Sequence, residues 1–155
     1  MTLQDLGALG EVVGAVGVVV SLLYLSVQVR QNTRSLRAST YQSFSEYFAE
    51  FRAMLLAEPR LGLLFGNGLR SFSALDEGER VAFDSIMMTF LRGVEVSFYQ
   101  ERNGLLDASF YRGWADEANA IGRQPGAREW WVGRAALFNE EFRAVWEART
   151  ARGPE

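Results

Sequence analysis

Residues 6–29 read LGALGEVVGAVGVVVSLLYLSVQV. In these 24 residues the only charge is Glu11, and Val12 to Val29 carry none. At about 1.5 Å per residue a helix over this stretch reaches roughly 36 Å, against about 30 Å of bilayer hydrocarbon. Nearly every face of that helix is apolar, whereas a surface helix of a soluble domain keeps a polar side. Two readings fit: a transmembrane helix with Glu11 close to one interface, and a buried central helix of a soluble bundle. The span is the expectation we adopt. A cleaved signal peptide fits poorly, because the residues before the apolar run carry Asp5 and no Arg, and no small-x-small cleavage pattern leads into polar sequence.

Flanking charge sets an orientation. Arg30, Arg34 and Arg37 follow the span and no basic residue precedes it. Under the positive-inside rule, the short N-terminus lies outside and everything from Arg30 onward lies in the cytoplasm. The expected organisation is a transmembrane segment over 1–31 and a cytoplasmic helical domain over 32–155.

Outward from the span, Val18 to Glu58 are 41 residues with neither Gly nor Pro, and Pro59 is the first proline. The simplest expectation is one continuous helix from about Asp5 to about Ala57, with Gln31-Asn32-Thr33 as the one place where a break fits. Steps of three and four from Gly7 visit Gly10, Gly14, Gly17, Ser21, Tyr24, Gln28 and Gln31. All four glycines of the span fall on this line, as do its tyrosine and glutamines, while the other positions are almost wholly Val, Leu and Ala. A 3.5-residue period is that of a left-handed supercoil, and small residues allow close backbone approach in lipid. The stripe is therefore expected to hold copies of the chain together as a closed anchor. As an alternative it lines a narrow polar pathway at the centre of a ring of copies. A contact with a different membrane protein is a third reading. Glu11, one turn from Gly7 and Gly14, is costly in lipid and marks an interface, a charge pair or a pore mouth.

Beyond the span, Tyr41, Phe44, Tyr47, Phe48, Phe51, Met54 and Leu55 form a 3/4-spaced aromatic face that other elements must cover. A short helix is expected over Leu61 to Leu69, interrupted at Gly66 and Gly68. Asp76 precedes a long segment from Glu77 to Glu101, whose apolar face holds Val81, Phe83, Ile86, Met87, Phe90, Leu91, Val94 and Phe98. Asn103-Gly104 stops it. Asp107 is placed to cap a helix from Ala108 to about Ile121, Pro125 opens a segment running through Trp130 and Trp131 to Leu137, and Asn139 caps a last helix to Arg149. Arg152 to Glu155 read as a frayed tail. No segment alternates with period two between turn signals, so the expected fold is all-α, a single N-terminal transmembrane helix continuing into a cytoplasmic helical bundle.

Composition narrows the chemistry. Cys, His and Lys are absent, and all 16 basic residues are Arg. Thiolate and Schiff-base nucleophiles, Ser-His-Asp triads, Cys/His metal sites and P-loops all lack an obligatory member. A net charge of −3 and a pI near 5.1 argue against nucleic acid as a partner. The partners expected are a lipid bilayer, further copies of the chain and, as an alternative, another membrane protein.

Three groups of segments carry a resemblance. Val29-Arg30-Gln31-Asn32-Thr33-Arg34 follow a hydrophobic helix. Phe98-Tyr99-Gln100 are followed by Gly104-Leu105-Leu106-Asp107, and Trp130-Trp131 stand before Phe138 and Glu141-Phe142-Arg143. Together they resemble a widespread bacterial family of small proteins of uncharacterised function, over nearly the whole chain. The resemblance implies one hydrophobic helix plus a helical domain, and no activity. With a bacterial setting implied, the expected location is the inner (cytoplasmic) membrane, crossed once.

Few side chains outside the stripe suggest a site. Met88, Arg92, Glu95 and Tyr99 share a helix face, where Arg92 and Glu95 read as a surface pair, a buried pair orienting the bundle, or part of a pocket. Asp116 and Glu117 beside Trp114, or Glu46 and Glu50, are the carboxylates best spaced for hydrolysis or a Mg²⁺ or Ca²⁺ ion. Without His, the Glu-x-x-His pairs of a di-iron bundle are missing. No catalytic residue, metal ligand or cofactor is assigned, and no enzymatic activity is expected. Trp114, Trp130, Trp131 and Trp146 are expected to serve core packing first.

Overall fold

The computed structural model describes residues 3–151, the side chains of residues 3–6, 8, 9 and 12 apart. The expected tail at 152–155 lies outside the described residues. Among these the fold is all-α, with no strand. Its helices are α1 (Leu3–Ala57), α2 (Pro59–Arg70), α3 (Glu77–Arg102), α4 (Ala108–Gly122), α5 (Pro125–Val132) and α6 (Glu140–Thr150), with a 3-10 turn at Ala135–Leu137. By packing, the chain divides into two compact units, Met1–Ser39 and Thr40–Glu155. The division follows Ser39, shortly before the aromatic face of α1 begins.

In the first unit α1 is unbroken at Gln31-Asn32-Thr33, where the Thr33 hydroxyl donates back to the Val29 carbonyl at 3.0 Å. Ser21 does the same to Gly17 at 2.8 Å. Such i−4 bonds satisfy a hydroxyl without leaving the helix. From Val13 the segment is long and apolar enough, by length and composition, to cross a membrane, and none of its apolar window is buried. The side chains from Val13 to Val29 are all exposed.

The second unit follows from its caps. Pro59 has no amide hydrogen and holds Glu58 extended (φ −123°, ψ 97°), which ends α1 and opens α2. Asp76 and Glu79 form a reciprocal capping box: Asp76 accepts from the Glu79 amide at 2.8 Å, and Glu79 accepts from the Asp76 amide at 3.0 Å. Gly104, at φ 68°, turns the chain out of α3. Asp107 accepts from the Ser109 amide at 2.8 Å to start α4, and Asn139 accepts from the Glu141 amide at 2.9 Å to start α6.

Three expectations need correction. Gly66 and Gly68 do not interrupt α2. The chain has a glycine at 68 because the Phe83 ring occupies the space a Cβ would take. The segment expected from Pro125 to Leu137 breaks after Val132, where Arg134 turns to reach Asp84 at 2.6 Å. Val81 and Met54, placed on apolar faces by spacing, are exposed.

The core is built mainly on α3. Phe83, Met87, Phe90 and Leu91 are sealed by Phe48 and Phe51 of α1 on one side and by Trp130, Phe138, Phe142 and Trp146 on the other. At Gly126 a Cβ would overlap the Gly68 carbonyl oxygen and crowd the Phe72 amide, so α2 and α5 meet backbone against backbone.

Candidate functional site

The residues picked out in the first unit lie on α1 and are exposed: Gly7, Gly10, Gly14, Gly17, Ser21, Tyr24, Gln28 and Gln31, with Glu11 alongside and Arg30, Arg34 and Arg37 following. A Cβ built on any of the four glycines meets nothing within 4 Å. Ser21 is already satisfied by Gly17, which removes it from the donors that a neighbouring chain would have to accommodate. Among the described residues the side chains of Tyr24, Gln28 and Gln31 make no hydrogen bond. On a straight helix a seven-residue line drifts by about 20° per heptad, so the line from Gly7 to Gln31 turns through roughly 70°, which a left-handed supercoil removes.

In the bundle, Arg92 and Glu95 are more than a surface pair. Glu95 is 7% exposed, and its carboxylate accepts from Arg92 at 2.6 Å and from the backbone amide of Asn139 at 2.8 Å. Arg92 in turn donates to the Leu137 carbonyl at 2.7 Å and lies over the Phe138 ring at 4.7 Å. The pair is half-buried, with Arg92 exposed and Glu95 covered, and it ties the start of α6 to α3. Tyr99 packs against Phe98, away from the pair. Beside Arg92, a cavity of about 250 Å³ is lined by Phe44, Tyr47, Gly93, Val96 and Gln100, and the Tyr47 hydroxyl donates to the Thr89 carbonyl. Burial raises the Tyr47 pKa.

A residue missed in the sequence makes the matching tie. Asp84 accepts from the Trp130 indole at 2.7 Å and from Arg134 at 2.6 Å, joining α3 to the end of α5. Its only signal was a carboxylate placed beside Phe83 on an otherwise apolar stretch. Glu129, fixed on α5, accepts from the Ser73 amide at 2.7 Å, and that hydrogen bond lowers its pKa.

The proposed acid pairs separate. Glu117 binds Arg52 of α1 at 2.6 Å, whereas Asp116 lines a cavity together with Arg112 and Arg123. Glu46 accepts from Gln42 at 2.9 Å, and Glu50 is exposed. Among the described residues no three acidic side chains converge in a metal-sized group. The tryptophans pack: Trp130 is 1% exposed, Trp131 lies against Phe138 and Trp146, and Trp114 is wedged against Phe44 and Phe48.

No protein-family model, curated protein or solved structure matches this chain. The arrangement must be interpreted from its own geometry.

Proposed function

We propose that this protein is a membrane-anchored helical module that self-associates through the Gly7 to Gln31 line of α1. In this reading Arg30, Arg34 and Arg37 stand on the cytoplasmic side, with the bundle following them, and Glu11 lies at the opposite interface. The observation that carries the reading is the open space around Gly7, Gly10, Gly14 and Gly17. Glycine costs a helix about 1 kcal/mol relative to alanine, and nothing in the chain needs these positions to be small. A second copy of the same line does, because two glycine faces allow the backbone contact on which helix association in lipid depends. The unpartnered Tyr24, Gln28 and Gln31 add support, since polar groups at membrane depth need partners that an identical neighbour provides. The bundle's own polar groups are largely spent on internal ties, which suits a structural or interaction role better than turnover.

The same three polar side chains favour a second reading, in which four or more copies turn the line toward a water-filled axis. Mass measurement of the full chain in mild detergent separates the possibilities. Two or three copies fit the closed anchor, four or more fit the pore, and a strict monomer overturns self-association and directs attention to a different membrane protein. Recovery of the full chain in the soluble fraction without detergent overturns the membrane reading itself.

A further inference from the structure

One cavity of the second unit has a lining unlike the rest. It measures about 400 Å³ and is lined by Arg112, Asp116 and Asn119 of α4, by Arg123 at the C-cap of that helix, and by Ala148 and Arg149 of α6. Arg112, Asp116, Asn119 and Arg123 recur at spacings of four, three and four, so one face of α4 and its C-cap supply most of the wall. Three guanidinium groups and one carboxylate leave it with a formal charge of +2 in a chain whose net charge is −3. Of the unit's other arginines, Arg52, Arg92, Arg102 and Arg134 each have a carboxylate within salt-bridge distance. Among the described residues none of Arg112, Arg123 and Arg149 has one.

Two further observations point to a ligand. Asn119 is 4% exposed, lines the cavity and makes no side-chain hydrogen bond among the described residues. The Arg123 Nε is buried with no acceptor. Buried donors are nearly always satisfied, and leaving one unmet is costly. Here a guanidinium with a buried, unmet Nε and a largely buried amide line the same polar opening, and Arg149 lies across the Tyr111 ring at 6.0 Å.

We propose that this cavity binds a phosphate monoester. A dianion matches the +2 lining, and guanidinium forks suit phosphate oxygens better than a point charge does. The Asn119 amide adds a neutral donor. Asp116, the one acceptor-only group present, favours a ligand that carries a hydroxyl or amine close to its phosphate. The phosphate can be the headgroup of a lipid or belong to a soluble metabolite. The proposal stands whether or not the chain self-associates, because every lining residue belongs to the bundle.

Titration calorimetry on the full chain in nonionic detergent tests it, first with inorganic phosphate and then with a hexose phosphate. We expect saturable binding, with Arg123→Gln and Arg149→Gln each weakening it by about tenfold, equivalent to about 1.4 kcal/mol. Arg60→Gln, on α2 and away from the cavity, should leave it unchanged. Asp116→Asn removes the opposing charge from an exposed position and should tighten inorganic phosphate severalfold, an outcome that general damage to the fold cannot produce. Flotation with phosphatidic acid vesicles, compared with phosphatidylcholine vesicles and repeated with the Arg123→Gln chain, identifies the source. Arg123-dependent preference for phosphatidic acid assigns the headgroup, and no preference together with hexose phosphate binding assigns a soluble ligand. Absence of saturable binding to all three phosphates, or equal binding by Arg123→Gln and Asp116→Asn chains that remain folded by circular dichroism, overturns the proposal.

Discussion

Two sets of glycines, one in each unit, contrast. Gly68, Gly93, Gly122 and Gly126 of the bundle each sit where a Cβ would run into a ring, a side chain or the backbone of another element. Gly7, Gly10, Gly14 and Gly17 of the apolar helix meet nothing. At those four bundle positions, then, the structure itself accounts for the residue, whereas a Cβ at Gly66 or Gly113 would meet nothing within 4 Å. On the helix the same residue type recurs at heptad spacing with no neighbour among the described residues, the pattern that the proposed self-association explains. A glycine pattern is informative about partners only after the contacts within the chain have been subtracted.

That contrast can be broken at either end. The largest effect should come from Gly126→Ala, which drives a methyl group into the Gly68 carbonyl, where neither backbone can yield. We expect a loss of about 3 kcal/mol or more in bundle stability by denaturant titration. Full tolerance would mean that α2 and α5 do not touch. Next is Asp84→Ala, which leaves the buried Trp130 indole without its acceptor and should cost about 2 kcal/mol in the same assay. Gly14→Leu should behave oppositely to Gly126→Ala. Bundle stability is expected to stay within about 0.5 kcal/mol of the parent, while self-association in detergent, measured by sedimentation, falls by at least about tenfold. If sedimentation is unchanged, the open glycine line has no role in assembly.

The smallest effect concerns pH. The hydrogen bond from Ser73 holds Glu129 below its unfolded pKa. Its contribution is therefore complete at neutral pH and is lost as pH falls through the lower, folded-state value. Glu129→Gln should flatten the acid limb of the bundle's stability profile below about pH 4.5, with little change at pH 7. Arg92 and Glu95 lie wholly in the bundle, so Glu95→Ala should lower its stability without altering assembly.

Much of the helical layout was legible because helix ends are chemically local. Asp76 with Glu79, Asp107, Pro125 and Asn139 each fix an end through groups at most three residues away, and each was readable from its neighbours. The break after Val132 was not, because its cause is Asp84, some fifty residues earlier in the chain. Gly68 looked like a helix interruption for the same reason, since the Phe83 ring that explains it belongs to another helix. The polar line on α1 was readable because its period is written in consecutive turns, but what faces it is not encoded nearby. The arginine cavity stayed hidden because its acidic member, Asp116, drew attention as half of a carboxylate pair, while Arg149 joins only when α6 folds back beside α4.

The placement of the tryptophans has a practical consequence. All four lie beyond Thr40, and the apolar segment has none. Indole emission is therefore silent about the apolar segment and reports the bundle alone. Trp130, sealed and bonded to Asp84, should emit well to the blue of an indole in water and shift red when the α3–α5 contact opens. A single micellar sample can thus supply two independent signals, scattering for how many chains are together and fluorescence for whether each bundle is intact.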